Sequence, residues 1–171
     1  MSVKAIIKVP FIGDSAVGKT SLIKTFLGER ATYSTTTVGI DIYPLKKNNV
    51  EFVFWDFGGQ IWFRKVIPEL MQNASIIVAV FDLSRINTLM SIPEFWSKKI
   101  LEICGKKTPV ILVGNKLDIK NISDEIINDV VQRLKKEINL IDYVQTTIKD
   151  CNTVINLFNM IFAIILSDRG C

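Results

Sequence analysis

Gly13-Asp14-Ser15-Ala16-Val17-Gly18-Lys19-Thr20 follows the apolar run Ala5–Ile12 and leads into the helical pattern Ser21-Leu22-Ile23-Lys24-Thr25-Phe26. The octet fits G-x-x-x-x-G-K-[ST], and a strand before it with a helix after it is the setting in which such a loop holds phosphate. Gly13 and Gly18 let the backbone bend until successive N–H groups face one concavity, and the helix opening near Lys19 adds its positive dipole end. Lys19 supplies a point charge for the outer phosphates, and the Thr20 hydroxyl is placed to ligate Mg²⁺. The stretch therefore predicts a nucleoside-phosphate site at the end of a first strand.

Apolar runs and helical patterns alternate along the chain. Val3–Ile12 reads as a strand and Lys19–Leu27 as a helix. Val38–Leu45 and Val50–Asp56 read as a hairpin turning at Lys46-Lys47-Asn48-Asn49. Ile76–Asp82 and Pro109–Gly114 are short unbroken apolar runs, as in buried parallel strands. Helical patterns fall at Ile92–Ile103, Ser123–Asn139 and Asn152–Leu166, with a last strand at Asp142–Thr146. The expected fold is α/β: a mostly parallel six-stranded sheet with one antiparallel edge hairpin and helices on both faces, in one domain over residues 1–171. Ligands on such sheets sit at the carboxyl ends of the strands, where Gly13, Asp56 and Asn115 converge. Pro10 removes a donor from a central strand, so a local irregularity is expected there.

Asp56-Phe57-Gly58-Gly59-Gln60 follows the run Phe52-Val53-Phe54-Trp55. An aspartate at a strand end suits a contact to Mg²⁺ through one of the waters that ion keeps. Gly59 can bring its N–H close to a terminal phosphate, and Gln60 can hold a water in line for attack. Asn115-Lys116-Leu117-Asp118 follows Val110-Ile111-Leu112-Val113-Gly114. The Asp118 carboxylate can accept two hydrogen bonds from the ring N–H and amino group of guanine. Adenine lacks that donor pair and would leave the carboxylate unsatisfied, at about 1–3 kcal/mol or more. An ATP-dependent kinase would leave Asn115–Asp118 without a role.

With these elements the sequence resembles the Ras-superfamily small GTPases over nearly its whole length. The resemblance implies a P-loop NTPase fold, guanine-nucleotide contacts from Gly13, Asp14, Ser15, Ala16, Val17, Gly18, Lys19, Thr20 and Ser21, and further contacts from Gly59, Asn115, Lys116 and Asp118. It implies a base-contacting motif at Thr147-Ile148-Lys149, where a backbone N–H reaches the guanine carbonyl. Thr37-Val38-Gly39-Ile40-Asp41 is similar to the Rab-like T-[IV]-G-x-[DE] segment, so Thr37 would join Thr20 and Asp56 at Mg²⁺. Catalysis would involve Gln60, Lys19 and Thr37. Phe81-Asp82-Leu83-Ser84 matches the family's next strand end. Trp55–Gln60, with Gly58 where Rab and Ras proteins carry alanine, looks instead like Arf, Gα and Roc proteins, and Ile61 stands where many relatives carry glutamate. The chain thus mixes Rab-like and Arf-like features. No arginine stands three residues before Thr37, where Gα-type proteins have one (Ser34 is there). The resemblance therefore implies slow GTP hydrolysis to GDP, with an exchange factor, a GTPase-activating protein and effectors as partners. The alternative is an interaction module in which GTP or GDP is structural and Gln60 idle.

Composition narrows the rest. The 171-residue chain has no histidine, which removes histidine bases, Ser-His-Asp triads and histidine-bound zinc. Cys104, Cys151 and Cys171 have no paired spacing, as in a cytoplasmic protein with reduced thiols. The net charge of +4 comes with lysine pairs spread along the chain and no interleaved aromatics, so no nucleic-acid partner is expected. No signal-peptide pattern and no C-a-a-X box is present, and membrane contact would be peripheral. Val154–Leu166 carries no charge, which raises the expectation of an exposed apolar strip at Ile155, Phe158 or Phe162, against a deeply packed terminal helix.

Overall fold

A computed structural model describes residues 5–29, 38–60 and 65–168. Thr37, Ile61, Trp62 and Cys171 lie outside the described residues. β1 (Ala5–Ile12), β3 (Val50–Phe57), β4 (Ile77–Asp82), β5 (Val110–Asn115) and β6 (Leu140–Gln145) run parallel, and β2 (Ile40–Lys47) pairs antiparallel with β3. The strand order is β2-β3-β1-β4-β5-β6, the mixed six-stranded sheet expected from the sequence. The hairpin closes on Asn48 and Asn49, whose φ angles of 51° and 59° are those of a tight turn that follows the sheet's twist. β2 forms one edge of the sheet and carries Pro44 in its middle.

The alternation of side chains along β1 and β3 divides the core in two. One layer, with Ile7, Val9, Phe11, Phe52 and Phe54, packs under α1 (Lys19–Phe26) and α6 (Cys151–Asp168). The other faces α2 (Ile67–Leu70), α3 (Ile86–Ser91), a π-helical turn (Ile92–Trp96), α4 (Ser97–Cys104) and α5 (Asp124–Glu137). α5 starts where the Ser123 hydroxyl accepts from the Ile126 N–H at 3.4 Å, with Asp124 and Glu125 in its first turn and Lys135 and Lys136 in its last, each complementing the dipole.

Three expectations are revised. The helix read as Ile92–Ile103 is a longer helical run broken by the π-turn. Pro93 has no N–H and its ring crowds the carbonyl four residues back, and the widened turn accommodates it, the Ser97 N–H donating to the Ile92 carbonyl. β6 begins at Leu140, two residues early, beside a register shift between Val110 and Ile111. In α6, Phe158 and Phe162 are not exposed. Phe158 stacks on Phe26 at 3.9 Å and Phe162 meets Phe52 edge-on at 4.7 Å. The solvent side carries Asn156, Asn159, Ala163 and Ser167 beside the 43% exposed Ile155, so the polar face is built from uncharged residues and no broad apolar strip is left.

The irregularity expected at Pro10 is real and local. The Lys8 carbonyl accepts from the Ser75 N–H at 2.9 Å, so even positions of β1 turn their polar groups toward β4. Pro10 has no donor to offer on that side, and the β4 ladder starts at Phe11, whereas pairing with β3 runs unbroken from Ala5 to Phe11.

Candidate functional site

The ends of β1, β3, β4 and β5 meet at the loop Gly13–Gly18. Each carbonyl from Gly13 to Val17 accepts from a side chain. Lys19 Nζ reaches those of Gly13 and Asp14 at 3.0 and 2.9 Å, Arg85 Nη2 that of Ser15 at 3.0 Å, Lys116 Nζ that of Ala16 at 2.9 Å, and Asn115 Nδ2 that of Val17 at 2.9 Å. Tying the carbonyls to donors from α1, the end of β5 and the segments after β4 and β5 holds the loop in one shape. That fixed, curved backbone is what an anion cradle needs. A Cβ on Gly18 would lie 2.2 Å from Asn115 Nδ2, and its φ of +100° is hostile to other residues, so glycine is required there twice over.

Lys19, though charged, is only 5% exposed. Thr20, in the first turn of α1, donates its hydroxyl to Oδ2 of the fully buried Asp56 at the end of β3. Ser21 follows, half-buried. Gly59 presses on the phosphate loop. A Cβ there would sit 2.3 Å from the Asp14 carbonyl carbon and the Ser15 nitrogen. Gln60 comes next, half-buried. The structure thus joins Thr20 with Asp56 and Gly59 with the loop, and Thr37 lies outside the described residues.

At the other end of the site, Asn115 Oδ1 accepts from the Thr146 hydroxyl at 3.0 Å. Asp118 Oδ1 accepts from the Thr147 hydroxyl at 2.6 Å, and Oδ2 pairs with Lys149 Nζ at 2.8 Å. The Lys149 and Thr147 bonds hold the Asp118 carboxyl below the usual carboxylate range despite the opposing effect of burial. Ile148, between the two, is 40% exposed.

Sequence reasoning missed the groups that support the loop. Asp82, quoted only as a strand end, is 1% exposed and receives Arg85 Nε at 2.9 Å, Lys116 Nζ at 2.8 Å and the Ser84 hydroxyl at 2.6 Å. Burial raises its pKa, but the bonds from Lys116, Ser84 and Arg85 outweigh this and hold it down at about 2. Asp82 thereby fixes two cations that grip the phosphate loop. Ser91 and Trp96 bond the Asp14 side chain at 2.7 and 3.1 Å. An acidic residue closing a buried strand beside Arg85 was the available signal for the first group. Nothing in the sequence pattern announced the second.

A wound α/β sheet whose strand ends carry a phosphate loop, a Thr–Asp pair and an Asn-Lys-x-Asp turn defines a P-loop nucleotide-binding domain. A sequence model of the Ras family matches residues 8–167, and the chain belongs to that family. It is also similar to the human EF-hand calcium-binding domain-containing protein 4B, with 32% identity over 159 residues. That match covers 90% of this chain and 21% of the human protein, so the chain spans about a fifth of its relative's length. Family membership brings guanine-nucleotide binding with it as the class of function.

Proposed function

We propose that this chain, as a single domain over residues 1–171, is a GTP-operated switch that hydrolyses GTP to GDP slowly. The observation that supports it best is the phosphate loop with all its carbonyls from Gly13 to Val17 held by side chains, beside an Asp118 carboxylate oriented by Thr147 and Lys149. In this reading the loop N–H groups and Lys19 bind the phosphates, and Asp118 selects guanine with the Ile148 backbone N–H on its carbonyl. Thr20 and Asp56 form an oxygen-only pair that suits Mg²⁺, with Thr37 as a further ligand. When bound, the ion would supply positive charge to offset the negative charge developing on the phosphates. Gln60 orients water, so the chain's own part in catalysis is positioning.

Thr37 and Gly59 would sense the terminal phosphate together, and their segments would change state together when it leaves. The absence of an arginine three residues before Thr37 supports low intrinsic turnover and an activating partner that donates one, worth roughly 10³–10⁵ in rate. An exchange factor and effectors complete the proposed partners, in the cytoplasm or peripherally at a membrane. Among the described residues no helix is long and apolar enough to cross one.

The nucleotide that copurifies with the protein tests the first step. Guanine nucleotide is expected, and equal affinity for ATP and GTP would refute it. Trp62 fluorescence should differ between GDP and a non-hydrolysable GTP analogue, and Thr37→Ala should shrink that difference while leaving GDP binding nearly intact. Identical signals in the two states would point to a structural nucleotide instead.

A further inference from the structure

Asp14 places a carboxylate in a loop built to hold anions, so its charge must be stabilised without opposing the ligand. Its Oδ1 accepts from the Ser91 hydroxyl at 2.7 Å and from the Trp96 indole Nε1–H at 3.1 Å. The two donors are five residues apart. On an α-helix of 3.6 residues per turn, that step carries a side chain roughly 140° around the axis, onto another face. A π-turn closes its hydrogen bond over five residues and brings such positions round to the same side of the helix. The stretch between the two donors is the π-turn Ile92–Trp96, closed by the Ser97 N–H on the Ile92 carbonyl.

Trp96 is fully buried, and an indole N–H can only donate, so its burial calls for an acceptor such as Asp14. The Asp14–Ser15 peptide is also the surface on which Gly59 rests. From this arrangement we infer that the π-turn serves to aim Ser91 and Trp96 together at Asp14. Both are positioning residues that hold the phosphate loop in its anion-binding shape and lengthen the residence of the nucleotide. The inference rests on the guanine-nucleotide reading above and adds to it a control point on α3 and the π-turn.

The test is the dissociation rate of fluorescently labelled GDP from the full chain, chased with excess GDP. Trp96→Phe keeps the ring and removes the donor, and should speed release about tenfold. In an Asp14→Ala background the same substitution should add nothing, because its route to the loop is gone. A merely structural tryptophan would act in both backgrounds, and additive effects would overturn the inference. Should Trp96→Phe fail to fold, the half-buried Ser91→Ala serves in the same cycle, with about threefold faster release expected alone and no change beside Asp14→Ala. The Trp96 indole Nε1–H resonance gives a readout independent of nucleotide. It should move in Asp14→Ala, and an unmoved resonance overturns the inference. Failure of the wild type to bind labelled GDP would instead refute the functional reading, with the resonance still deciding the contact.

Discussion

At the Asn115–Asp118 end of the site, Asp118 is gripped by Thr147 and Lys149 while Asn115 bridges Thr146 and Val17, so three separate stretches of chain lock one another through side chains. At the Thr20–Gly59 end fewer side chains take part. Thr20 meets Asp56, and Gly59 lies against the Asp14–Ser15 peptide with no side chain of its own. In the proposed function the difference separates two tasks. Base selection asks for donors and acceptors that do not move, and the first end is cross-braced accordingly. Sensing a phosphate asks for a contact made by backbone and easily withdrawn, which a glycine provides.

Substitutions at the two ends should therefore fail in different ways. Asp118→Asn should give the largest effect, weakening GTP roughly 100-fold or more and shifting preference toward xanthine nucleotides, as competition binding would show. Unchanged selectivity would break the assignment of the braced end. Gln60→Leu should cut single-turnover hydrolysis on the order of 100-fold with GTP affinity near normal, because water positioning matters mainly in the transition state. A loss of affinity instead would mean that the two ends are not separable.

Asp82 supports the phosphate loop through charge, by way of Arg85 and Lys116, which makes that loop sensitive to acid. Its pKa is lowered from 3.8 to about 2 on folding, so it contributes stability that is present above about pH 4 and lost as pH falls toward 2. The linkage amounts to about 2 kcal/mol. Denaturant melts across that range should show the slope in the wild type and a flatter one in Asp82→Asn. The smallest effect is expected at Ile148. Only its backbone N–H is assigned to the base, so Ile148→Ala should change GTP affinity by less than about threefold. A larger loss would give the side chain a role in the base pocket.

The sheet and the site were legible in the sequence to different depths. The mostly parallel six-stranded sheet and the placing of Gly13, Asp56 and Asn115 at converging strand ends follow from apolar runs and the motif spacing, because both are local signals, whereas the strand order is set by contacts far apart in sequence. The π-turn was not legible. A proline in a helical pattern signals disturbance, but whether the helix kinks, stops or widens depends on what it packs against, here Asp14 far away in sequence. The long-range partner of Asp82, Lys116, was hidden for the same reason. The lack of charge in α6 misled because amphipathicity was sought as charge against hydrocarbon, while Asn156, Asn159 and Ser167 supply a polar face without any charge.

Pro44 gives the outer edge of the sheet a further property. Among the described residues β2 has a strand neighbour on one side only, and an open strand edge invites a second chain to continue the ladder, the first step toward fibrillar aggregation. Proline in the middle of that strand removes a donor from the edge region, and Lys46 and Lys47 add like charges that a second copy would have to meet face to face. β6, the opposite edge, contains neither a proline nor a lysine, so self-templated growth of this protein, if provoked by partial unfolding, is expected to start from β6 and not from β2.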